Sequence, residues 1–294
     1  MEGGRVIGVD IGGTKIFAAV VDGTGRVENL VDRQTPERSQ EALLETVGEM
    51  IESLRGDDVI GAGIGVPARI SRDGRILSAV NTPLADLDPA VLERRYGLPV
   101  RAVNDASAAA LAEHRFGAGR GRGDLVLLTL GTGVGAGFVL GGALYEGWGE
   151  AGHMVIVEGG EPCRGACSGR GHVEAYCSGP VADGLAREAY GPSATARDLV
   201  EREHPALNAI GRHLGTAIAS LVNLFAPEIV IIGGGFGTSA AHLLLPAVRE
   251  VLRDEALAPA GEATRLEVAE LGGLAGVVGA GTFALTRIAR AGAP

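Results

Sequence analysis

The chain reads as an α/β protein made of two related domains, and three observations predict this. Strand-like apolar runs alternate with helix-length amphipathic segments, the pattern of a parallel or mixed sheet covered on both faces. Its 294 residues are enough for two ordinary domains. An internal echo relates the halves: residues 6–22 read VIGVDIGGTKIFAAVVD and residues 126–142 read VLLTLGTGVGAGFVLGG. Each is an apolar run, a Gly/Thr-rich turn and a second apolar run. Ile11 aligns with Leu130 and Gly12 with Gly131 without a gap, so the two hairpins predict a duplicated domain.

Between the hairpins, Leu43, Val47, Ile51 and Leu54 recur at helical spacing and predict a helix over 41–54. Residues 60–66 alternate apolar side chains with glycine and read as a strand. Asp73-Gly74 within 70–77 predicts a two-residue hairpin turn. Asn104 caps a helix running to Phe116, and 117–124 is a Gly/Arg loop suited to a domain boundary. The second half predicts a long helix over 209–225 and a buried strand over 228–232 that ends in Gly233-Gly234-Gly235. A helix over 240–252, a strand over 266–271 and a glycine turn at 276–281 follow, and a last helix runs to Arg290.

The net charge of −10 argues against a nucleic-acid partner. No apolar run approaches the roughly 20 residues of a membrane span, and the first residues lack a signal-peptide pattern, so the expected location is cytoplasmic. Three cysteines fit that compartment. Cys163 and Cys167 lie close together near histidines, a spacing that points to metal rather than a disulfide.

Asp10-Ile-Gly-Gly-Thr-Lys15 ends a strand. Gly12 and Gly13 let the backbone approach a ligand, and successive N–H groups with the Thr14 hydroxyl can cradle phosphate oxygens. Asp10 can orient a hydrated Mg²⁺, and Lys15, the sole lysine, can supply charge. The second turn, Gly131-Thr132-Gly133-Val-Gly135, offers another hydroxyl. In a duplicated fold the turns would face each other across a cleft with one nucleoside triphosphate between them. Neither has Walker A spacing.

DIGGTK, LGTGVGAG, Asn104-Asp105 opening a helix, and Gly149-Glu150-Ala-Gly-His153 together resemble the ROK family, over residues 6 to about 281. That family combines sugar kinases and related repressors. The resemblance implies the actin-like ATPase (ribonuclease H-like) fold with a central cleft. It divides the chain into a small domain, 1–115 with the terminal helix 282–294, and a large domain, 116–281, bearing a zinc-motif loop. It implies Asp105 as catalytic base, and Asn104, Glu150, His153 and Glu174 as sugar ligands. A carboxylate at a helix N-terminus is favoured as the anion and ready to accept a proton. Gly234 and Gly235, with 276–281, resemble adenosine-binding strand ends.

The family's zinc motif follows the histidine with C-x-C-G-x-x-G-C-x-E. Here His172 takes the third cysteine's place, Cys167 the second's and Gly165 the first's, with Cys163 two residues earlier. His153, Cys163, Cys167 and His172 would still make an N₂S₂ tetrahedral set; Cys177 lies outside the spacing and reads as a core thiol. The implied function is ATP-dependent phosphorylation of a hexose with Mg²⁺, glucose first, then N-acetylmannosamine, N-acetylglucosamine or fructose. The implied assembly is a homodimer or homotetramer. The family's repressors carry a DNA-binding segment before the first turn, and a turn at residue 10 leaves no room for one here.

Overall fold

The structure is a computed structural model that describes residues 4–36, 39–79, 84–165 and 167–291. In chain order it begins β1 (Arg5–Ile11), β2 (Lys15–Val21), β3 (Val27–Gln34), α1 (Gln40–Leu54), β4 (Val59–Val66), β5 (Ala68–Ile70) and β6 (Ile76–Ala79). β7 (Ala85–Leu87), α2 (Pro89–Tyr96), β8 (Val100–Asn104) and α3 (Asp105–Phe116) follow. Then come β9 (Leu125–Leu130), β10 (Val134–Leu140), β11 (Ala143–Leu144), α4 (Glu174–Cys177), α5 (Gly179–Tyr190), α6 (Ala196–Glu201) and α7 (Ala206–Phe225). The chain finishes with β12 (Ile229–Gly233), α8 (Gly235–Glu255), α9 (Ala260–Ala263), β13 (Arg265–Val268) and α10 (Ala275–Ala291).

The echo in the sequence is an echo in topology. One five-stranded sheet has the order β3-β2-β1-β4-β8 and the other β11-β10-β9-β12-β13. In each, an antiparallel hairpin is extended by two parallel strands on the side of its first strand. A small antiparallel sheet, β5-β6-β7, accompanies the first. Its β5–β6 turn keeps Gly74 at φ 87. The Gly74 N–H donates to Ser71 O and the Ser71 N–H to Arg75 O. Three residues therefore close the hairpin, with Gly74 in the left-handed position, rather than Asp73-Gly74 alone.

The chain divides into two compact units. One comprises residues to 120, 144–148 and 274 onward; the other comprises 121–143 and 149–273. The break falls later than 115 because the loop after α3 is tied back to it: buried Glu113 accepts from Ala118 N–H at 2.9 Å. The return comes at 274 rather than 282 because 276–281 is no turn. It is the first part of α10, one continuous helix.

Those helical glycines exist for packing. β4 reads V-I-G-A-G-I-G-V, so its period of two puts Gly61, Gly63 and Gly65 on one face and Ala62, Ile64 and Val66 on the other. The apolar face joins Ile7, Val9 and Ile16 and, from α1, Leu43, Val47, Met50 and Ile51 in one buried core. The glycine face meets α10 backbone to backbone. A Cβ on Gly63 would stand 1.8 Å from Ala280 O, on Gly8 2.1 Å from Val277 O, and on Gly279 1.8 Å from Ala108 O. The stretch Gly272–Ala291 is long and apolar enough to cross a membrane by length and composition alone. In this fold Val277, Val278, Ala284 and Leu285 of that stretch are core residues. The second unit repeats the idea: Gly211 and Gly215 of α7 lie against Leu244 O and Val251 of α8.

Gly279→Ala is expected to destabilise the protein by about 2–3 kcal/mol, since backbone must move to admit the methyl. Gly184→Ala in α5, where a Cβ meets nothing within 4 Å, should be neutral or gain up to about 1 kcal/mol. Urea melts of both variants check this, and equal effects would contradict the packing role.

Candidate active site

Ligands of open α/β sheets bind beyond the carboxyl ends of parallel strands, and the candidate residues gather there in each unit. In the first, β1, β4 and β8 run parallel with Asp10 opposite Gly65 and Val66 opposite Asn104. Asp10 and Asp105 therefore emerge at one edge of the sheet. Asp10 is half-buried, with its carboxyl set into the fold: a Cβ on Gly276 would lie 2.2 Å from its Oδ2. Gly276 thus makes room for this carboxyl. Burial, and after it the charge of Asp105, push Asp10 up to about 7. A pocket that holds a carboxylate so reluctantly suits a bound cation, which would restore the charged form.

Asn104 is the N-cap of α3, its Oδ1 accepting from Ser107 N–H at 3.0 Å. Its Nδ2 donates to Ala68 O at 3.3 Å and to Asp105 Oδ1 at 3.0 Å. Both amide hydrogens are thus engaged, so a sugar hydroxyl would be met by the remaining lone pair of Oδ1. The same Asp105 Oδ1 accepts from Ala106 N–H at 2.8 Å. The cap therefore fixes the carboxylate's direction.

The first glycine turn holds Gly12, Gly13, Thr14 and Lys15 between the facing pair Ile11 and Ile16. The second holds only Gly131, Thr132 and Gly133 between Leu130 and Val134. The echo is in register on the way in and one residue shorter on the way out, and Val134 and Gly135 belong to β10. Each turn is closed internally, by Gly12 N–H to Lys15 O and by Gly131 N–H to Gly133 O, both 2.9 Å. Among the described residues, the N–H groups of Gly13 and Thr14, and of Thr132 and Gly133, donate to nothing. Two consecutive free amides in each turn are the donors an anion needs. Thr35, which sequence reasoning missed, pins the first turn: its Oγ1 donates to Gly12 O at 2.7 Å and its N–H to Thr14 O at 2.9 Å. Lys15 is turned away, its Nζ 2.9 Å from Asp32 across β2 and β3.

In the second unit, β12 ends beside the second turn. Gly234, at φ 78, starts α8 so close that a Cβ would stand 2.4 Å from Leu130 O. Gly234 therefore packs directly on Leu130, where the second turn begins. The Glu150 segment packs onto β10: a Cβ on Gly152 would lie 2.0 Å from Val134 O. Glu150 is exposed, and its carbonyl accepts from His153 N–H at 3.0 Å. Glu174 opens α4, and its Oε2 accepts from Val134 N–H at 2.9 Å.

His153, Cys163, Cys167 and His172 offer one ligand atom each, all within 4.8 Å of one another. The Nδ1 atoms of the two histidines are 3.3 Å apart, and Cys163 Sγ to His153 Nδ1 and Cys167 Sγ to His172 Nδ1 are each 3.6 Å. A tetrahedral ion with ordinary zinc bond lengths requires edges of about 3.3 Å between nitrogens and about 3.6 Å between sulfur and nitrogen. The donor set fits, and Cys163 reaches the cluster despite its displaced position. Burial, the largest influence, and the neighbouring Cys167 push the Cys163 thiol up to about 11, a state that a cation would reverse. Nδ1 ligation leaves His153 Nε2 on the far side of its ring. Cys177 is a core thiol, fully buried, with Sγ 3.7 Å from Ile210 O.

Duplicated sheets with paired glycine turns, a capped carboxylate at a strand end and a thiol–imidazole cluster define a phosphate-binding protein of the actin-like fold. The chain belongs to the ROK family, whose model matches residues 6–287. It is 31% identical over 316 aligned positions to a glucokinase of Streptomyces coelicolor, covering 96% of this chain and 98% of that one. The structure of a ROK glucokinase from Streptomyces griseus in complex with glucose and AMPPNP superposes with a TM-score of 0.83 at 32% identity. It covers 96% of this chain and all of that one. The xylose repressor of Bacillus subtilis is 26% identical over 249 positions, 79% of this chain and 64% of the repressor.

The position of Asp10 sets a pH dependence. Its folded value lies above its unfolded one, so folding retains a proton, and stability falls as pH rises from about 4 to about 7. In magnesium-free buffer with chelator, Asp10→Asn should gain about 2–3 kcal/mol more over wild type at pH 8 than at pH 5. Denaturant melts at the two pH values check this; an equal gap would contradict it.

Proposed function

We propose that this protein is an ATP-dependent hexose kinase acting on glucose, giving glucose 6-phosphate and ADP. The observation that carries the reading is the Asp105 carboxylate, fixed by the α3 cap at the sheet edge where Asp10 also emerges. The likeness to glucokinases over nearly the whole chain supports it.

In the proposed reaction Asp105 accepts the proton of the sugar's O6 hydroxyl as that oxygen attacks the γ-phosphorus. The bond to the β,γ-bridging oxygen breaks, and ADP leaves with the bridging electrons. Asn104 accepts from a sugar hydroxyl, and Glu150, His153 through Nε2, and Glu174 bind others. A site built to satisfy sugar hydroxyls discriminates strongly against analogues that lack them. The amides of Gly13, Thr14, Thr132 and Gly133 hold phosphate oxygens, with Gly12 and Gly131 closing the turns and Gly234 and Gly235 flanking the nucleotide. Asp10 orients hydrated Mg²⁺, whose charge offsets that of the phosphates. Transfer through a loose transition state depends chiefly on such positioning and electrostatics. Lys15 has no role while paired with Asp32. His153, Cys163, Cys167 and His172 would hold a zinc ion, which would fix the sugar-binding loop and the tautomer of His153.

ADP release measured over a panel of hexoses should give glucose the highest kcat/KM. Asp105→Asn should lower kcat by about 10²–10⁴-fold while glucose affinity changes little. Near wild-type kcat in that variant would remove Asp105 from the chemistry.

The purified protein should carry one zinc per chain after dialysis, and His172→Ala should lose it and melt at lower temperature. Elemental analysis checks this; a zinc-free protein with an unchanged melt in chelator would contradict the assignment.

A further inference from the structure

Glu174 is the residue whose position exceeds the role given to it above. One of its carboxylate oxygens is committed to the backbone. Oε2 accepts from Val134 N–H at 2.9 Å, the amide at which the second glycine turn passes into β10. The contact is close on its other side too: a Cβ on Gly133 would stand 2.4 Å from the same oxygen. The turn is gripped a second time by the same stretch of chain. Gly179 N–H, the first of α5, donates to Gly131 O at 2.8 Å. Gly131, Gly133 and Val134 are thus held from one side by residues 174–179, which begin two residues after His172.

We infer that Glu174 is a positioning residue for the phosphate-binding turn. Its carboxylate clamps Val134 N–H and so sets the direction of the free Thr132 and Gly133 amides. This rests on the kinase reading and deepens it. Val134 N–H is sequestered by the carboxylate, so phosphate is left two donors in this turn, aimed by a third. A bond from an amide to a charged acceptor is stronger than a neutral one, and losing it leaves the amide unmet. The requirement for glycine at 133 follows from the same contact. It adds to any need for close approach by the ligand.

The test is binding of Mg²⁺-AMPPNP by titration calorimetry to the intact, zinc-loaded protein without sugar, which separates this role from any sugar contact of Glu174. Glu174→Ala should weaken nucleotide binding on the order of tenfold. Glu174→Gln keeps a carbonyl acceptor for Val134 N–H and should stay within about threefold of wild type. Gly133→Ala, which leaves Glu174 in place but crowds it, should also weaken binding. The double variant Gly133→Ala/Glu174→Ala should be no worse than Gly133→Ala alone, because the shared contact is lost once. Wild-type affinity in Glu174→Ala, equal damage in Glu174→Gln, or multiplying effects in the double variant would each overturn the inference. Failure of the wild type to bind nucleotide would instead overturn the kinase reading together with it.

Discussion

The rest of the structure depends on the close contact between glycine backbone and its neighbours. In the first unit Gly8 and Gly63 let α10 lie directly on β1 and β4, and Gly279 lets α3 lie on α10. Backbone groups at such separations leave no tolerance for a side chain, so helix and strands hold one relative position. That position places Asp10, Gly276 and Asp105 at the same edge of the sheet. Dispersion between closely packed atoms is weak singly but large when summed over such a contact. It fixes geometry more sharply than a conventional layer of leucines would.

The second unit reaches the same kind of arrangement with different means. Its glycine turn is one residue shorter and is steadied by Glu174 and by the start of α5 rather than by a threonine from a neighbouring strand. Both turns nevertheless expose two consecutive amides at the end of a first strand flanked by a parallel neighbour. Both units thus keep the strand end and the free N–H groups, while the supports differ. The four-donor cluster shows a similar freedom. Cys163 stands two residues from the place the family pattern prescribes, yet loop geometry brings its Sγ to 3.6 Å from His153.

Much of this was legible in the sequence. Period-two and period-3.6 patterns located most strands and helices, Asn104 announced the cap of α3, and glycine–threonine turns marked the strand ends. What failed did so for identifiable reasons. The glycines at 276–281 read as a turn, because local propensity disfavours them in a helix. Tertiary contacts with Asp10, Ala108 and Val21 explain them. Asp73-Gly74 read as a two-residue turn, since nothing local reveals that Ser71 pairs with Arg75. The Lys15–Asp32 pair was not legible either, since Asp32 lies opposite Phe17 on β3 and that register is not visible in the motif itself. Thr35 and the Glu174–Val134 bond were invisible for the same reason: each joins residues distant in sequence through backbone atoms that carry no signature.

In the proposed kinase the two pairs of free turn amides hold the nucleotide's phosphates. Residue-resolved hydrogen exchange with and without Mg²⁺-AMPPNP measures it most directly. Fast exchange is expected at Gly13, Thr14, Thr132 and Gly133 in the free protein, with strong protection of all four on binding. Gly12, Gly131 and Val134, already bonded within the protein, should change little. Nucleotide binding that leaves those four amides in fast exchange would contradict it.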